Sequence, residues 1–133
     1  MGVYLNFAVP AKDAISLNGV LPVPAGVKYE NQRVVADIGG VVKLFTLDAY
    51  GKSIPDKKGF VLQAKPRNGA AKYALRLYNG KFMQSLADEL LLNQSVSNKP
   101  VTVVVKILFN GALHQQTKSL RYSATQNRAG KAK

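Results

Sequence analysis

The dipeptide Asn110-Gly111 is the feature of this sequence that most restricts its fold. It lies between two strand-like runs, residues 100–109 (PVTVVVKILF) and residues 112–122 (ALHQQTKSLRY). Both central residues of a two-residue β-hairpin turn need a positive φ, and asparagine followed by glycine tolerates this well. The pattern therefore predicts a C-terminal β-hairpin over residues 100–122.

Most of the remaining apolar runs are short and bounded by glycine, proline or asparagine, which is typical of antiparallel strands. They lie at residues 2–9, 15–20, 33–48, 60–64 and 71–78. Gly39-Gly40 interrupts one of these runs, so two strands joined at the glycines and one long bulged strand both fit the pattern.

One stretch has a different apolar period. Phe82, Leu86 and Leu90 recur at every fourth residue, which predicts an amphipathic helix over about residues 82–93. We therefore expect a mostly β (β-rich α+β) fold. Its antiparallel sheet would contain about 6–7 strands, with the one helix before the C-terminal hairpin.

The chain of 133 residues has the length of a single domain, which we expect to span residues 1–122. Residues 123–133 (SATQNRAGKAK) are small, polar and basic. Such a composition offers little to pack, so we expect a flexible basic tail.

The charge balance indicates the kind of partner. Nineteen Lys and Arg face seven Asp and Glu, which gives a net charge of +12. An excess of this size is typical of proteins that bind a polyanion such as DNA or RNA. Residues 57–81 and residues 90–133 each contain seven cations and no acid, whereas a merely solvated surface usually mixes both signs.

Side-chain alternation gives these charges a geometry. In the strand at residues 71–78, Tyr73 would point to the core, and Lys72, Arg76 and Tyr78 would point to the other face. Cations that follow phosphates and rings that stack on bases form the pattern that binds an unpaired nucleic-acid strand. Lysine on a strand face also prevents edge-to-edge aggregation, so this alternative stays open for each lysine alone.

A type I′ turn at Asn110-Gly111 would place Lys118 opposite Val103 and Lys106 opposite Gln115, so the two lysines would lie on opposite faces. The candidate nucleic-acid contacts are one tyrosine and twelve cations: Lys57, Lys58, Lys65, Arg67, Lys72, Arg76, Tyr78, Lys81, Lys118, Arg121, Arg128, Lys131 and Lys133.

The segment at residues 51–62 (GKSIPDKKGFVL) resembles the loop-to-strand segment of the PC4 family of transcriptional cofactors, including the Lys57-Lys58-Gly59 turn before an apolar strand. In size, charge and all-β character the chain is also similar to the small basic single-strand-binding proteins of phages. These resemblances imply single-stranded DNA binding on a curved antiparallel sheet, in support of replication or transcription.

The residues do not favour an enzyme. The chain has no cysteine and one histidine, His114, so positioned nucleophiles and bases are lacking. Asp88 and Glu89 are adjacent and would diverge by about 100° on a helix. Metal ligands do not cluster in the sequence, and Gly39-Gly40 lacks the Lys-Ser/Thr of a phosphate-binding loop. We expect no catalysis, no metal and no cofactor.

The N-terminus, residues 1–6 (MGVYLN), lacks the basic region of a signal peptide, and no apolar run approaches 18 residues. We therefore expect a cytoplasmic protein, in the host cytoplasm if it is viral, with no membrane partner.

Together these observations predict a single-stranded DNA-binding protein that serves replication or transcription. A homo-oligomer is expected because one short sheet offers a small footprint, and a polymerase is a further candidate partner. Two alternatives stay open. One is an RNA-binding or genome-packaging virion protein, and the other is a protein-interaction module whose basic charge is incidental.

Overall fold

The computed structural model describes residues 1–133 and consists of ten strands with one short helical segment. The helical segment comprises α1 (Met83–Leu86) and a 3₁₀ turn (Ala87–Glu89). The strands are β1 (Gly2–Asn6), β2 (Asp13–Pro22), β3 (Arg33–Ile38), β4 (Val41–Leu47), β5 (Ser53–Ile54), β6 (Phe60–Leu62), β7 (Ala70–Gly80), β8 (Val96–Phe109), β9 (Ala112–Thr125) and β10 (Ala129–Ala132).

The strands form one antiparallel sheet in the order β5-β4-β3-β8-β9-β10-β1-β2-β7-β6. Its two ends approach each other, because Lys52 forms a bridge with Val61 and the Leu62 N–H donates to the Gly51 carbonyl at 2.7 Å. The sheet therefore curls around its own interior. We call β5, β4, β3, β8 and β9 the β8 half, and β10, β1, β2, β7 and β6 the β2 half.

The two halves face each other across one core of 29 buried residues. Alternate residues are buried in β2, β3, β7 and the part of β8 from Val101 to Phe109, as expected for strands with one face on a core, whereas in β9 only Leu120 and Tyr122 are buried. Phe60 of the β2 half packs against Phe45 of the β8 half with ring centroids 5.6 Å apart, and it stacks on Tyr73 at the same distance. The opposite faces of both halves are therefore outer faces.

The two halves join through β10, which pairs with β9 of the β8 half and with β1 of its own half, where Leu5 lies opposite Gly130 and Val3 lies opposite Ala132. A β-carbon at Gly130 would lie 2.3 Å from the Tyr122 hydroxyl oxygen, so the tyrosine ring occupies the space above this glycine. The Tyr122 hydroxyl donates to the Leu92 carbonyl at 2.7 Å. This packing explains why position 130 is a glycine.

The predicted fold class is confirmed, but the sheet has ten strands rather than 6–7. Gly39-Gly40 joins two separate strands, β3 and β4. The predicted hairpin at residues 100–122 is present and longer, since it begins at Val96 and ends at Thr125. Asn110 and Gly111 have φ of 51° and 74°, as a type I′ turn requires.

The register predicted for this hairpin is also confirmed, because Lys118 lies opposite Val103 and Lys106 lies opposite Gln115. Its two lysines consequently point to opposite faces of the sheet.

The helix predicted over residues 82–93 is wrong in extent, since the helical segment covers only residues 83–89. Leu90 has a left-handed φ of 64°, which ends the helical segment. Leu86 and Leu91 are buried whereas Leu90 is exposed, so the burial pattern does not continue with a helical period.

The flexible tail predicted for residues 123–133 is also wrong. Residues 123–125 complete β9, and β10 lies between β9 and β1 with antiparallel pairing on both sides. Gly130 and Ala132 are buried. The side chains of this segment contribute little packing, but backbone hydrogen bonds to β9 and β1 hold it in the sheet.

We predict that deletion of residues 129–133 lowers the free energy of unfolding by more than about 4 kcal/mol, because it removes an internal strand and exposes two edges. Chemical denaturation followed by circular dichroism measures this change. The Lys133→Ala variant is the control and should unfold like the parent protein. A truncated protein of unchanged stability would contradict the internal position of β10.

Alkaline pH gives a second prediction. Burial raises the pKa of Tyr122 to about 12, against about 10 in an unfolded chain. Between about pH 10 and pH 12 the unfolded state loses this proton while the folded state keeps it, so the free energy of unfolding should fall as pH rises. Urea titrations across this range measure the fall, and Tyr122→Phe should make it shallower. An equal slope in both proteins would exclude Tyr122 as its source.

Candidate nucleic-acid interface

A shallow groove of about 360 Å³ lies on the outer face of the β2 half. Lys131 of β10 and Lys133, which follows that strand, line it on one side, and Arg76 and Tyr78 of β7 line it on the other. Of the cations and the tyrosine predicted from sequence, these four are brought together at one site.

Small residues of the two intervening strands form the floor of this groove. Gly2 of β1 pairs with Ser16 of β2, and Tyr4 pairs with Ala14. Their buried neighbours Val3 and Ile15 point to the core, so these four residues point outward. Neighbouring strands lie about 4.8 Å apart, which separates β10 from β7 by about 14 Å. Gly2, Ala14 and Ser16 have short side chains or none and lie between strands with long side chains, which produces the depression, while Tyr4 is the one large residue among the four.

Tyr4 is a groove residue that the sequence analysis did not select. It lies directly opposite Lys131, and the Lys131 Nζ is 5.9 Å from the centroid of the Tyr4 ring. This distance permits a cation–π contact. The alternation of buried Val3 and Leu5 around Tyr4 is the sequence signal that could have found it.

Arg76 is oriented by hydrogen bonds to the sheet. Its Nη1 donates to the Leu75 carbonyl at 2.9 Å, and to the Leu17 carbonyl and Asn18 Oδ1 at 3.4 Å each. A guanidinium has five N–H donors, so donors remain for an anion in the groove. Arg76 is thus a fixed cation rather than a freely moving one.

The two tyrosines of β7 occupy opposite faces, as their alternation predicted. Tyr73 is 6% exposed, packs in the core and has its pKa raised by burial. Tyr78 is 58% exposed and lines the groove, so its ring is available to a planar ligand.

Acidic side chains are missing from the outer face of β10, β1, β2 and β7. The one acid in these strands is Asp13, which is buried. Its carboxylate accepts hydrogen bonds from the backbone N–H groups of Asn6, Phe82 and Met83 at 2.8 to 3.2 Å. The outer face of these four strands therefore carries cations without an exposed acid, while Asp56 of the β5–β6 connection lines an adjacent pocket with Arg76 and Tyr78.

Two further predicted cations extend this basic face. Arg121 of β9 exchanges two backbone hydrogen bonds with Lys133, at 2.9 and 3.2 Å, and is exposed beside it. Lys72 is exposed on the same face of β7 as Arg76, about 13 Å further along the strand. The basic face is defined here as Tyr4, Lys72, Arg76, Tyr78, Arg121, Lys131 and Lys133.

Seven predicted cations lie outside this face. Lys118 points inward, where it lines a separate cavity with Tyr73 and Val105. Its position follows from the hairpin register, which sets it on the face of Val103. The other six lie in connections between strands: Lys57, Lys58, Lys65, Arg67, Lys81 and Arg128.

His114 lies in β9, and its Nε2 is buried without a hydrogen-bond partner. The structure contains no group of three or more His, Asp or Glu side chains placed to hold a metal ion. None of its helices has the length and apolar character needed to cross a membrane.

Comparisons of this chain with known protein families, curated proteins and solved structures give no match.

The opposed positions of Tyr73 and Tyr78 make a testable pair. We predict that Tyr73→Ala lowers the free energy of unfolding by roughly 3–5 kcal/mol, since it empties a core site beside Phe60. Tyr78→Ala removes a surface ring, and its cost should stay within about 0.5 kcal/mol. Chemical denaturation of both variants measures the difference, and comparable losses would contradict the alternation of β7.

Proposed function

We propose that this protein binds single-stranded nucleic acid, single-stranded DNA above all, on the basic face of the β2 half. The observation that supports this most directly is the groove itself. Lys131, Lys133 and Arg76 line it together with Tyr4 and Tyr78, and no carboxylate lies among its lining residues. Cations suit the phosphates of a single strand, and the two rings suit its unstacked bases.

A single strand fits this chemistry better than a duplex does. In a duplex the faces of the bases are stacked inside, so Tyr4 and Tyr78 would have nothing planar to contact. The helical segment of the chain is one short turn followed by a 3₁₀ turn that carries Asp88 and Glu89. A helix of that length and charge is unsuited to the major groove.

We predict that a plot of log binding constant for oligo-dT against log salt concentration has a slope of about −3.5. Each phosphate contact on a single strand contributes about −0.7 to this slope, and the basic face offers five cations. Replacing Arg76 and Lys131 together by alanine should flatten the slope by about 1.4. Fluorescence anisotropy at several salt concentrations measures both slopes.

The matched control is the Lys28→Ala, Lys52→Ala double variant. It removes the same charge from exposed positions that do not line the groove. Its slope should stay close to that of the parent protein. If both double variants change the slope equally, binding follows net charge alone and the groove is not the site.

The aromatic contribution is separable from the ionic one. Tyr78→Ala should weaken oligo-dT binding by roughly 1–3 kcal/mol while leaving the salt slope nearly unchanged, since stacking releases few counterions. Duplex DNA of equal length should bind more weakly than oligo-dT. Equal affinity for both would exclude the single-strand proposal, and tighter binding of oligo-U than of oligo-dT would favour an RNA-binding protein.

A further inference from the structure

A row of aliphatic side chains crosses the outer face of the β8 half. Leu44 of β4 pairs with Val35 of β3, Val35 pairs with Leu108 of β8, and Leu108 pairs with Leu113 of β9. Residues directly opposite each other in antiparallel strands share a face, so these four side chains are side by side. We call this row the aliphatic ridge.

The ridge is largely open to solvent. Leu44, Leu108 and Leu113 are 59%, 43% and 61% exposed, and Val35 is partly exposed. Single exposed aliphatic residues are ordinary on protein surfaces, whereas a contiguous row across four strands marks an interaction surface. No element of this chain covers it.

Charged residues of opposite sign flank the ridge. On β3, Asp37 lies two residues beyond Val35 on one side, and Arg33 lies two residues before it on the other. Arg33 and Asp37 are therefore about 13 Å apart along one strand, too far for contact within a chain. Within the monomer, Asp37 lies directly opposite Lys106 of β8 on this face, whereas Arg33 lies opposite Thr46 of β4 and has no acidic side chain across from it there.

We propose that the aliphatic ridge is the interface of a homodimer, in which a second copy of this chain packs face to face on the β8 half. The two-fold axis runs along the ridge, so that each ridge residue meets its own counterpart in the partner. The same rotation carries one flank of the ridge onto the other. Asp37 of each chain then faces the partner's Arg33, which gives two equivalent ion pairs.

The alternative axis, parallel to the strands, is less favourable. It keeps each flank on its own side and therefore brings the two Arg33 side chains onto one flank, where like charges repel. Both axes keep the strands of the two copies aligned, as stacked sheets require, so the charges decide between them.

The size of the ridge sets the expected strength. Four strands span about 14 Å between the outer two, and the flanking residues add about 7 Å on either side. An interface of this extent falls at the low end of specific interfaces, below about 1,200 Å² in total. We therefore expect a concentration-dependent dimer rather than an obligate one.

The dimer uses other residues than the basic face. The ridge lies on the outer face of the β8 half, and most of the basic face lies on that of the β2 half, although the two surfaces adjoin where Leu44 lines a pocket with Arg76 and Tyr78. The dimer inference does not rest on nucleic-acid binding. If both hold, one dimer carries two basic faces, and a single long strand that reaches both would bind with higher avidity.

Sedimentation velocity of the protein without nucleic acid, over a wide concentration range, tests the proposal. The wild-type protein should shift from monomer to dimer as concentration rises. Leu108→Glu places two carboxylates against each other at the two-fold axis and should weaken the dimer at least about a hundredfold. Val9→Glu is the control, because Val9 is an exposed apolar residue away from the ridge. It should dimerise like the wild type.

A second pair of variants tests the orientation. Arg33→Asp sets two acids against each other across the interface and should weaken the dimer about tenfold or more. Adding Asp37→Asn removes that repulsion and should recover most of the loss. The asparagine keeps the Oδ1 that accepts the Gly40 N–H at 2.9 Å, so the β3–β4 turn is preserved. Thermal unfolding of each variant confirms that it is folded.

Three results would overturn the proposal. A wild-type protein that stays monomeric at every concentration would exclude the homodimer and indicate that the ridge binds a different protein. An unaffected Leu108→Glu dimer would place the interface elsewhere, and equal dimer affinities for Arg33→Asp with and without Asp37→Asn would exclude the proposed axis. Leu108→Glu should still bind oligo-dT, so failure of the dimer and failure of the nucleic-acid interface are distinguishable.

Discussion

The pairing of β10 with both of its neighbours, β9 and β1, is the interaction on which the rest of this structure depends. It joins the two halves of the sheet, and with the bridge between Lys52 and Val61 it lets the sheet curl around one core. The pairing is possible because Gly130 leaves room for the Tyr122 ring and because Asp13 binds the backbone at the end of β1. Segments from opposite ends of the chain thereby become neighbouring internal strands.

The same pairing builds the basic face. Lys131 and Lys133 reach the groove only because β10 lies in the sheet, and Arg76 and Tyr78 reach it from the other side because β2 pairs with β7. The small residues of β1 and β2 between them create the depression. Lys131 makes no contact in the core, and its position is set by the backbone hydrogen bonds of β10 to β9 and β1. The alternate residues of the same strand, Gly130 and Ala132, are buried.

The two outer faces differ in chemistry although both belong to one sheet. The face of the β2 half combines cations and tyrosines without an exposed acid, whereas the face of the β8 half carries the aliphatic ridge between Asp37 and Arg33. Residues two apart along a strand share a face, so each strand can serve the core and one outer function at once. The proposed nucleic-acid interface and the proposed dimer interface therefore use different outward-facing residues of one curled sheet.

The sequence by itself determined the local features of this protein. Asn110-Gly111 specified the hairpin and its register, because only a few residue pairs accept two positive φ angles, and alternation in β7 placed Tyr73 inward and Arg76 outward. Which strands become neighbours was decided only by the tertiary structure. No local pattern in residues 123–133 indicates a strand, since their order comes from hydrogen bonds to β1 and β9, and Leu90 ends a helix that its apolar spacing would have continued. The grouping of Tyr4, Arg76 and Lys131 depends on pairings between residues far apart in the chain, which side-chain periodicity does not encode.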